Sequence, residues 1–222
     1  MTRPDNQDSK LKEDIEKCEI SAKIDLSNRA LADQDINIIA EGAIINTRCS
    51  SLWLHDNMLI IQGTRILADS IENNNTLQKL FLDGNQIMDI EVHYLSLILN
   101  RSALTSLSLS ENNITDQVAI DLAETLKTNR TLRRFWLYHN RFGDDGMQSF
   151  ADTLTRHNTT LEWLDLRSNK LVTDASVDAL ILMLESNHSL KKFWMEYCNL
   201  SYECKAKLRQ LAKSKTNFDL GA

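Results

Sequence analysis

Apolar residues recur along this chain in one frame, separated by polar stretches of nearly constant length. From Leu77 the frame reads Leu77-x-x-Leu80-x-Leu82-x-x-Asn85-x-Ile87. It returns as Leu104, Leu107, Leu109, Asn112, Ile114, and as Leu132, Phe135, Leu137, Asn140, Phe142. Further copies are Leu161, Leu164, Leu166, Asn169, Leu171 and Cys49, Leu52, Leu54, Asn57, Leu59. Weaker ones are Ile24, Leu26, Arg29, Leu31 at the start and Leu190, Phe193, Met195, Cys198, Leu200 at the end. The second apolar position steps through 24, 52, 80, 107, 135, 164 and 193, at intervals of 28, 28, 27, 28, 29 and 29 residues. Self-similarity at such a period marks a solenoid, in which each unit buries its apolar face against its neighbours.

Each repeat predicts one strand and one helix. The alternation at the second and third apolar positions is that of a short strand with those residues turned inward. The residue that follows, Asn57, Asn85, Asn112, Asn140, Asn169 and finally Cys198, sits where the chain leaves the strand. An amide there both donates and accepts, so these residues are expected to stack into a ladder that satisfies buried backbone groups. Four residues on come Asp33, Asp89, Asp116 and Asp144, with Asp174 five on, each expected to cap its own helix. Helical spacing follows, as in Val118, Leu122, Ala123, Leu126 and in Phe150, Ala151, Leu154. The helices stop near Asn75, Asn100, Asn129, Asn158 and Asn187. Asn129 is expected to matter less for stability than Asn112 or Asn140. These stops explain matches such as Asn129-Arg-Thr131 without invoking glycosylation.

Parallel strands stack about 4.8 Å apart, whereas packed helices need about 8–10 Å. The array must therefore curve, with strands inside and helices outside. The expected organisation is α/β: a tail and capping helix over 1–20, seven β-α repeats of 27–29 residues over 21–200, and a C-terminal capping helix and tail over 201–222. The N-terminal cap is placed at Asp8–Glu19, on Leu11, Ile15 and Cys18, and the C-terminal cap at Tyr202–Lys213.

The strand positions between the core residues then face the concave side. All four tryptophans fall there. Trp53, Phe81, Arg134, Trp136, Tyr138, Trp163, Arg167 and Trp194 form the candidate partner-binding surface, because aromatics flanked by charges are the residue types enriched in hot spots. Trp136 is expected to be substantially exposed.

Composition narrows the function. Lys and Arg number 25 against 31 Asp and Glu, a net charge of −6. On the concave rows Lys23, Lys79, Arg134, Arg167 and Lys192 nearly balance Asp25, Asp83, Asp165 and Glu196, unlike the one-signed surface that tracks phosphates, so nucleic acid is not an expected partner. No apolar run reaches the ~18–20 residues of a membrane span, and the polar start does not read as a signal peptide. The cysteines, Cys18, Cys49, Cys198 and Cys204, form no Cys-x-x-Cys pair and are expected to be free thiols of a reducing, cytoplasmic environment. No catalytic, cofactor or metal motif stands out.

The Leu-x-x-Leu-x-Leu-x-x-Asn frame at this period, with a helical second half, resembles the leucine-rich repeat. Its spacing is similar to that of the ribonuclease-inhibitor-like subfamily, as in the repeat regions of NOD-like receptors and Ran GTPase-activating protein. Departures are Arg29 and Cys198 at asparagine positions and Ile61 in place of the acidic residue. The resemblance implies a non-catalytic, monomeric module that binds another protein through its concave aromatic-rich face. It also leaves open an enzyme-regulating role, as a GTPase-activating protein or an inhibitor.

Overall fold

The computed structural model describes residues 5–72 and 74–222. Helix α1 (Asp5–Glu16) precedes eight three-residue strands. These are β1 (Lys23–Asp25), β2 (Ser51–Trp53), β3 (Lys79–Phe81), β4 (Ser106–Ser108), β5 (Arg134–Trp136), β6 (Trp163–Asp165), β7 (Lys192–Trp194) and β8 (Asp219–Gly221). They form one open parallel sheet in chain order. Ile24, Leu52, Leu80, Leu107, Phe135, Leu164, Phe193 and Leu220 pair in register, a single apolar row through the sheet. Between strands run α2 (Ile36–Ile39, continued as a π-helical stretch to Asn46), α3 (Ile61–Ile71), α4 (Asp89–Leu99), α5 (Asp116–Thr128), α6 (Asp144–Arg156) and α7 (Val177–Ser186), and α8 (Tyr202–Ala212) lies between β7 and β8. The frame leucines and the inner faces of the helices fill one continuous core.

The array differs from the sequence reading at its ends and in one loop. The capping helix spans Asp5–Glu16 rather than Asp8–Glu19, and the first four residues of the expected tail lie outside the described residues. Beyond α8 the C-terminal segment is an eighth strand, not a tail: Asp219 N donates to Lys191 O at 2.8 Å and Met195 N donates to Gly221 O at 2.5 Å. Leu171 is exposed, and Val172 takes its core position. The extra residue of this 29-residue repeat therefore lies between Asn169 and Val172, which is why Asp174 follows five rather than four positions on.

The asparagines of the frame bond from repeat to repeat. Asn112 Nδ2 donates to the carbonyls of Leu82, Leu109 and Ser110 at 3.0–3.1 Å, and its Oδ1 accepts from Ile87 N. Asn57, Asn85, Asn140 and Asn169 repeat the pattern. Cys198 ends it with a thiol contact to Leu166 O at 3.5 Å. Arg29, with no repeat before it, instead pairs with Asp14 of α1 at 2.6 Å.

The helix-end asparagines were not expected to do the same, yet they form a second ladder. Asn129 is buried; its Nδ2 donates to Leu99 O at 3.0 Å and its Oδ1 accepts from Thr131 N and Leu132 N. Asn158 and Asn187 follow suit, each also donating to the backbone carbonyl of the preceding ladder asparagine. In the next repeat Lys215 takes the place: its Nζ donates to Leu184 O at 2.6 Å and Asn187 O at 2.8 Å. Earlier in the chain Asn74, not Asn75, accepts from Leu77 N. The Asn-x-Ser/Thr pattern is thus an internal turn whose asparagine amide is already bonded.

The aspartates that recur from repeat to repeat also behave differently from the reading. Each opens its own helix but gives its carboxylate to the next repeat. Asp33 accepts from Ile60 N and Gln62 N, both at 2.9 Å. Asp89 accepts from Thr115 N, Asp116 from Gly143 N and Gly146 N, Asp144 from Thr173 N, and Asp174 from Ser201 N, at 2.8–2.9 Å. Position 61 is isoleucine and has no carboxylate to offer; the following helix is capped from within, Met88 N donating to Glu91 Oε2 at 2.8 Å. The first helical segment, with no repeat before it, uses the same device through Asp35 and Ala32 N.

One further position repeats. Asn28, Asp56, Gly84, Glu111, His139, Ser168 and Tyr197, each just before the ladder residue, all have φ between 53° and 62°. This left-handed conformation costs any residue but glycine, and only Gly84 meets it freely. It turns the chain out of the strand so that the ladder residue points inward.

Candidate partner-binding face

The strand register sorts the concave side chains into rows. The central row carries Asp25, Trp53, Phe81, Ser108, Trp136, Asp165 and Trp194. Its aromatics make a chain with Trp163 of the neighbouring row. Ring centroids lie 4.4 Å apart for Trp53–Phe81, 5.9 Å for Phe81–Trp136, 5.2 Å for Trp136–Trp163 and 4.9 Å for Trp163–Trp194. Phe81 and Trp136 are two strands apart and meet across β4, whose Ser106 and Ser108 are small and buried. The rings are therefore half-buried rather than freely exposed, which corrects the expectation for Trp136. They stabilise the sheet face and still present aromatic surface to a partner.

Charges flank the rings. Lys23 lies over Trp53 at 3.7 Å, and Lys192 over Trp163 at 4.5 Å. Arg167 grips the buried Asp165 through Nε and Nη2, with contacts of 2.7–3.1 Å, and stacks 4.7 Å from the Trp194 ring and 5.7 Å from Tyr138. The Asp165 carboxylate holds the Arg167 guanidinium above its ordinary pKa. Burial raises Asp83 above the usual carboxylate range, even though Ser108 Oγ and Ser110 N donate to it. Burial, with Glu111 beside it, likewise raises the Tyr138 phenol. Trp194 Nε1 donates to Asp219 of β8 at 3.0 Å, a contact that the missed strand supplies. Arg134 is exposed and, among the described residues, takes part in no ion pair.

All eight concave residues singled out from sequence thus lie on one sheet face, and they divide by role. Arg167 is locked to Asp165, the rings support one another, and Arg134 is left available. Sequence reasoning missed Asp165 as a buried carboxylate and Asp83 as a half-buried one, because neither burial nor the Arg167 clasp has a signature in spacing. The four cysteines are free, and burial pushes the Cys49 thiol up to about 12 and that of Cys198 to about 11. Among the described residues no group of three or more His, Cys, Asp or Glu could hold a metal ion, and no helix is long and apolar enough to cross a membrane.

Residues 102–123, 128–151 and 157–180 match the family described as "Leucine Rich repeat". Among curated proteins, the chain is 30% identical over 174 residues to NACHT, LRR and PYD domains-containing protein 3 of Bos taurus, covering 77% of this chain and 17% of that one. It is 27% identical over 197 residues to the Mus musculus protein of that name, covering 87% of this chain and 19% of that one. To the ribonuclease inhibitor of Sus scrofa it is 28% identical over 173 residues, covering 77% of this chain and 38% of the inhibitor. The chain therefore spans well under half the length of these relatives. Among solved structures, actin-binding site 2 of leiomodin-1 superposes with a TM-score of 0.53 at 14% identity, over 96% of this chain and 97% of that one, and shares the fold.

Proposed function

We propose that this chain, which is a leucine-rich repeat protein of the ribonuclease-inhibitor-like type, is a non-catalytic interaction module that holds a partner protein in its concave face. The observation that carries this reading is the unbroken aromatic chain from Trp53 to Trp194, half-exposed and flanked by charges of both signs. A repeat core does not require large rings on that side, since its leucines point the other way. Trp, Tyr and Arg bury much area at modest entropic cost.

Trp136, central in the chain of rings, is the residue to test. Trp136→Ala is expected to weaken capture of a partner from native extract by about 2 kcal/mol or more, while Lys127→Ala on helix α5 leaves capture unchanged. The ring also leans on Phe81 and Trp163, so a smaller loss of stability, about 1 kcal/mol, accompanies it. Unchanged affinity of the folded Trp136→Ala protein would make the ring scaffold only. A second reading, occlusion of a partner enzyme's active site, draws on the ribonuclease inhibitor among the relatives. In that case the captured partner loses activity when bound by wild type and keeps it with Trp136→Ala.

A further inference from the structure

The concave row nearest the N-terminal ends of the strands has an order of its own. Every other strand carries a cation: Lys23 on β1, Lys79 on β3, Arg134 on β5 and Lys192 on β7. Between them stand Ser51, Ser106 and Trp163; the acid of the row, Asp219, sits at its far end on β8, where Trp194 Nε1 donates to it. The outer cations are engaged, Lys23 with Asp25 at 3.2 Å and Lys192 on the Trp163 and Trp194 rings. The inner two are not. Among the described residues Lys79 and Arg134 are exposed and take part in no ion pair. Between them Ser106 is 1% exposed, and its hydroxyl has no hydrogen-bond partner. Next to Arg134, the buried Nε1 of Trp163 has none either. Across these four adjacent strands the exposed charge of the row is positive, carried by Lys79 and Arg134. Exposed cations without ion-pair partners favour a ligand of complementary charge, so the lane is matched to one that brings carboxylates.

We propose that the lane Lys79–Ser106–Arg134–Trp163 receives the carboxylates of an acidic, extended segment of the partner protein that runs across the strands. The inference rests on the concave-face reading above. Lys79 and Arg134 are two strands apart, roughly 9–10 Å. An extended segment at ~3.1–3.3 Å per residue places carboxylates three residues apart at that distance. Its intervening apolar residue meets the Phe81–Trp136 contact over β4. A polyphosphate strand fits less well. Asp83 and Glu196 hold the opposite row of the same face and Asp165 the row between, and a backbone charged along its length cannot avoid them, whereas a peptide can keep its acids to one side.

The test is fluorescence anisotropy of the full chain with a labelled peptide of four Glu-Pro-Leu triplets, its Gln-Pro-Leu isostere, and a twelve-nucleotide oligothymidylate. The glutamate peptide is expected to bind about tenfold more tightly than the isostere, as two charge-assisted contacts imply. That preference disappears in the double variant Lys79→Gln, Arg134→Gln. It persists in Arg133→Gln, Lys191→Gln, which removes the same charge from cations already paired with Glu162. Equal affinity for the two peptides, an equal loss in both double variants, tighter binding of the oligothymidylate, or no binding of the glutamate peptide at millimolar concentration each overturns the lane. These outcomes leave the concave-face reading to the Trp136→Ala experiment. A native partner that is lost with Trp136→Ala but retained by Lys79→Gln, Arg134→Gln would keep the face and remove the lane.

Discussion

Removing the carboxylate of Asp144 isolates the capping of one repeat by another. Its oxygens accept from Thr173 N at 2.9 Å, Thr173 Oγ1 at 2.6 Å, and Ser176 Oγ, all at the start of the next helical segment. A lost helix cap costs about 0.5–2 kcal/mol. Here three donors lose one charged acceptor, but the site is half-exposed and water replaces part of the loss. Asp144→Ala should therefore cost about 2–3 kcal/mol and Asp144→Asn, which keeps one acceptor, about 1 kcal/mol. For a domain of this size each kcal/mol lowers Tm by about 2–4 °C. Urea denaturation followed by circular dichroism measures the difference. The contribution is also pH-dependent. Burial alone would raise the Asp144 carboxyl, but the hydrogen bonds from Ser176 and Thr173 outweigh it and hold the group below its ordinary value. Its folded pKa is thus depressed, so the stabilisation is fully present above the unfolded value of about 3.9 and is lost as pH falls through the folded one. The gap between wild type and Asp144→Ala should be constant at neutral pH and close in acid. Asp145, next along and exposed, serves as the control. It offers only a helix-dipole effect of about 0.3–1 kcal/mol. If Asp145→Ala and Asp144→Ala shift the urea midpoint equally, capping between repeats is not what holds these helix starts.

Asn129→Ala and Asn112→Ala should destabilise comparably, by about 1–3 kcal/mol each, because both amides are buried and bonded to backbone of a neighbouring repeat. A clearly smaller loss for Asn129→Ala in urea melts would return it to a mere helix stop. Glu111→Gly relieves a left-handed φ of 53° and should leave stability unchanged or raise it by up to about 1 kcal/mol; a loss above that size in thermal melts would show that the strain is not local.

The strands were legible because their signal is periodic and chemical at once: leucine at the second and third frame positions, asparagine three residues later. Where the chemistry thins, the reading fails. The eighth strand has Leu220 but Asn217 and the small Ala222 in place of the large flanking apolar residues, so the frame is weakened on both sides. Leu171 was misplaced because the insertion put two apolar residues, Leu171 and Val172, side by side. The aspartates were recognised as helix-start residues, but their recipients lie 26–32 positions away, and no local pattern reveals that distance. The concave location of the rings followed from alternation alone. Their half-burial depends on Ser106 and Ser108 leaving room for Phe81 and Trp136 to meet, a matter of size across strands.

Capping in one direction gives the array a polarity. Because each aspartate serves the helix that follows, removing a repeat from the C-terminal side frees a carboxylate to water at little cost, whereas removing one from the N-terminal side strands the next helix without its acceptor. The exception is the junction at Ile61, where α4 carries its own acceptor in Glu91. There the two sides part without orphaning a helix start. That junction is the natural seam of the molecule: the place where a graft, a recombination or a truncation asks least of the repeats it leaves behind.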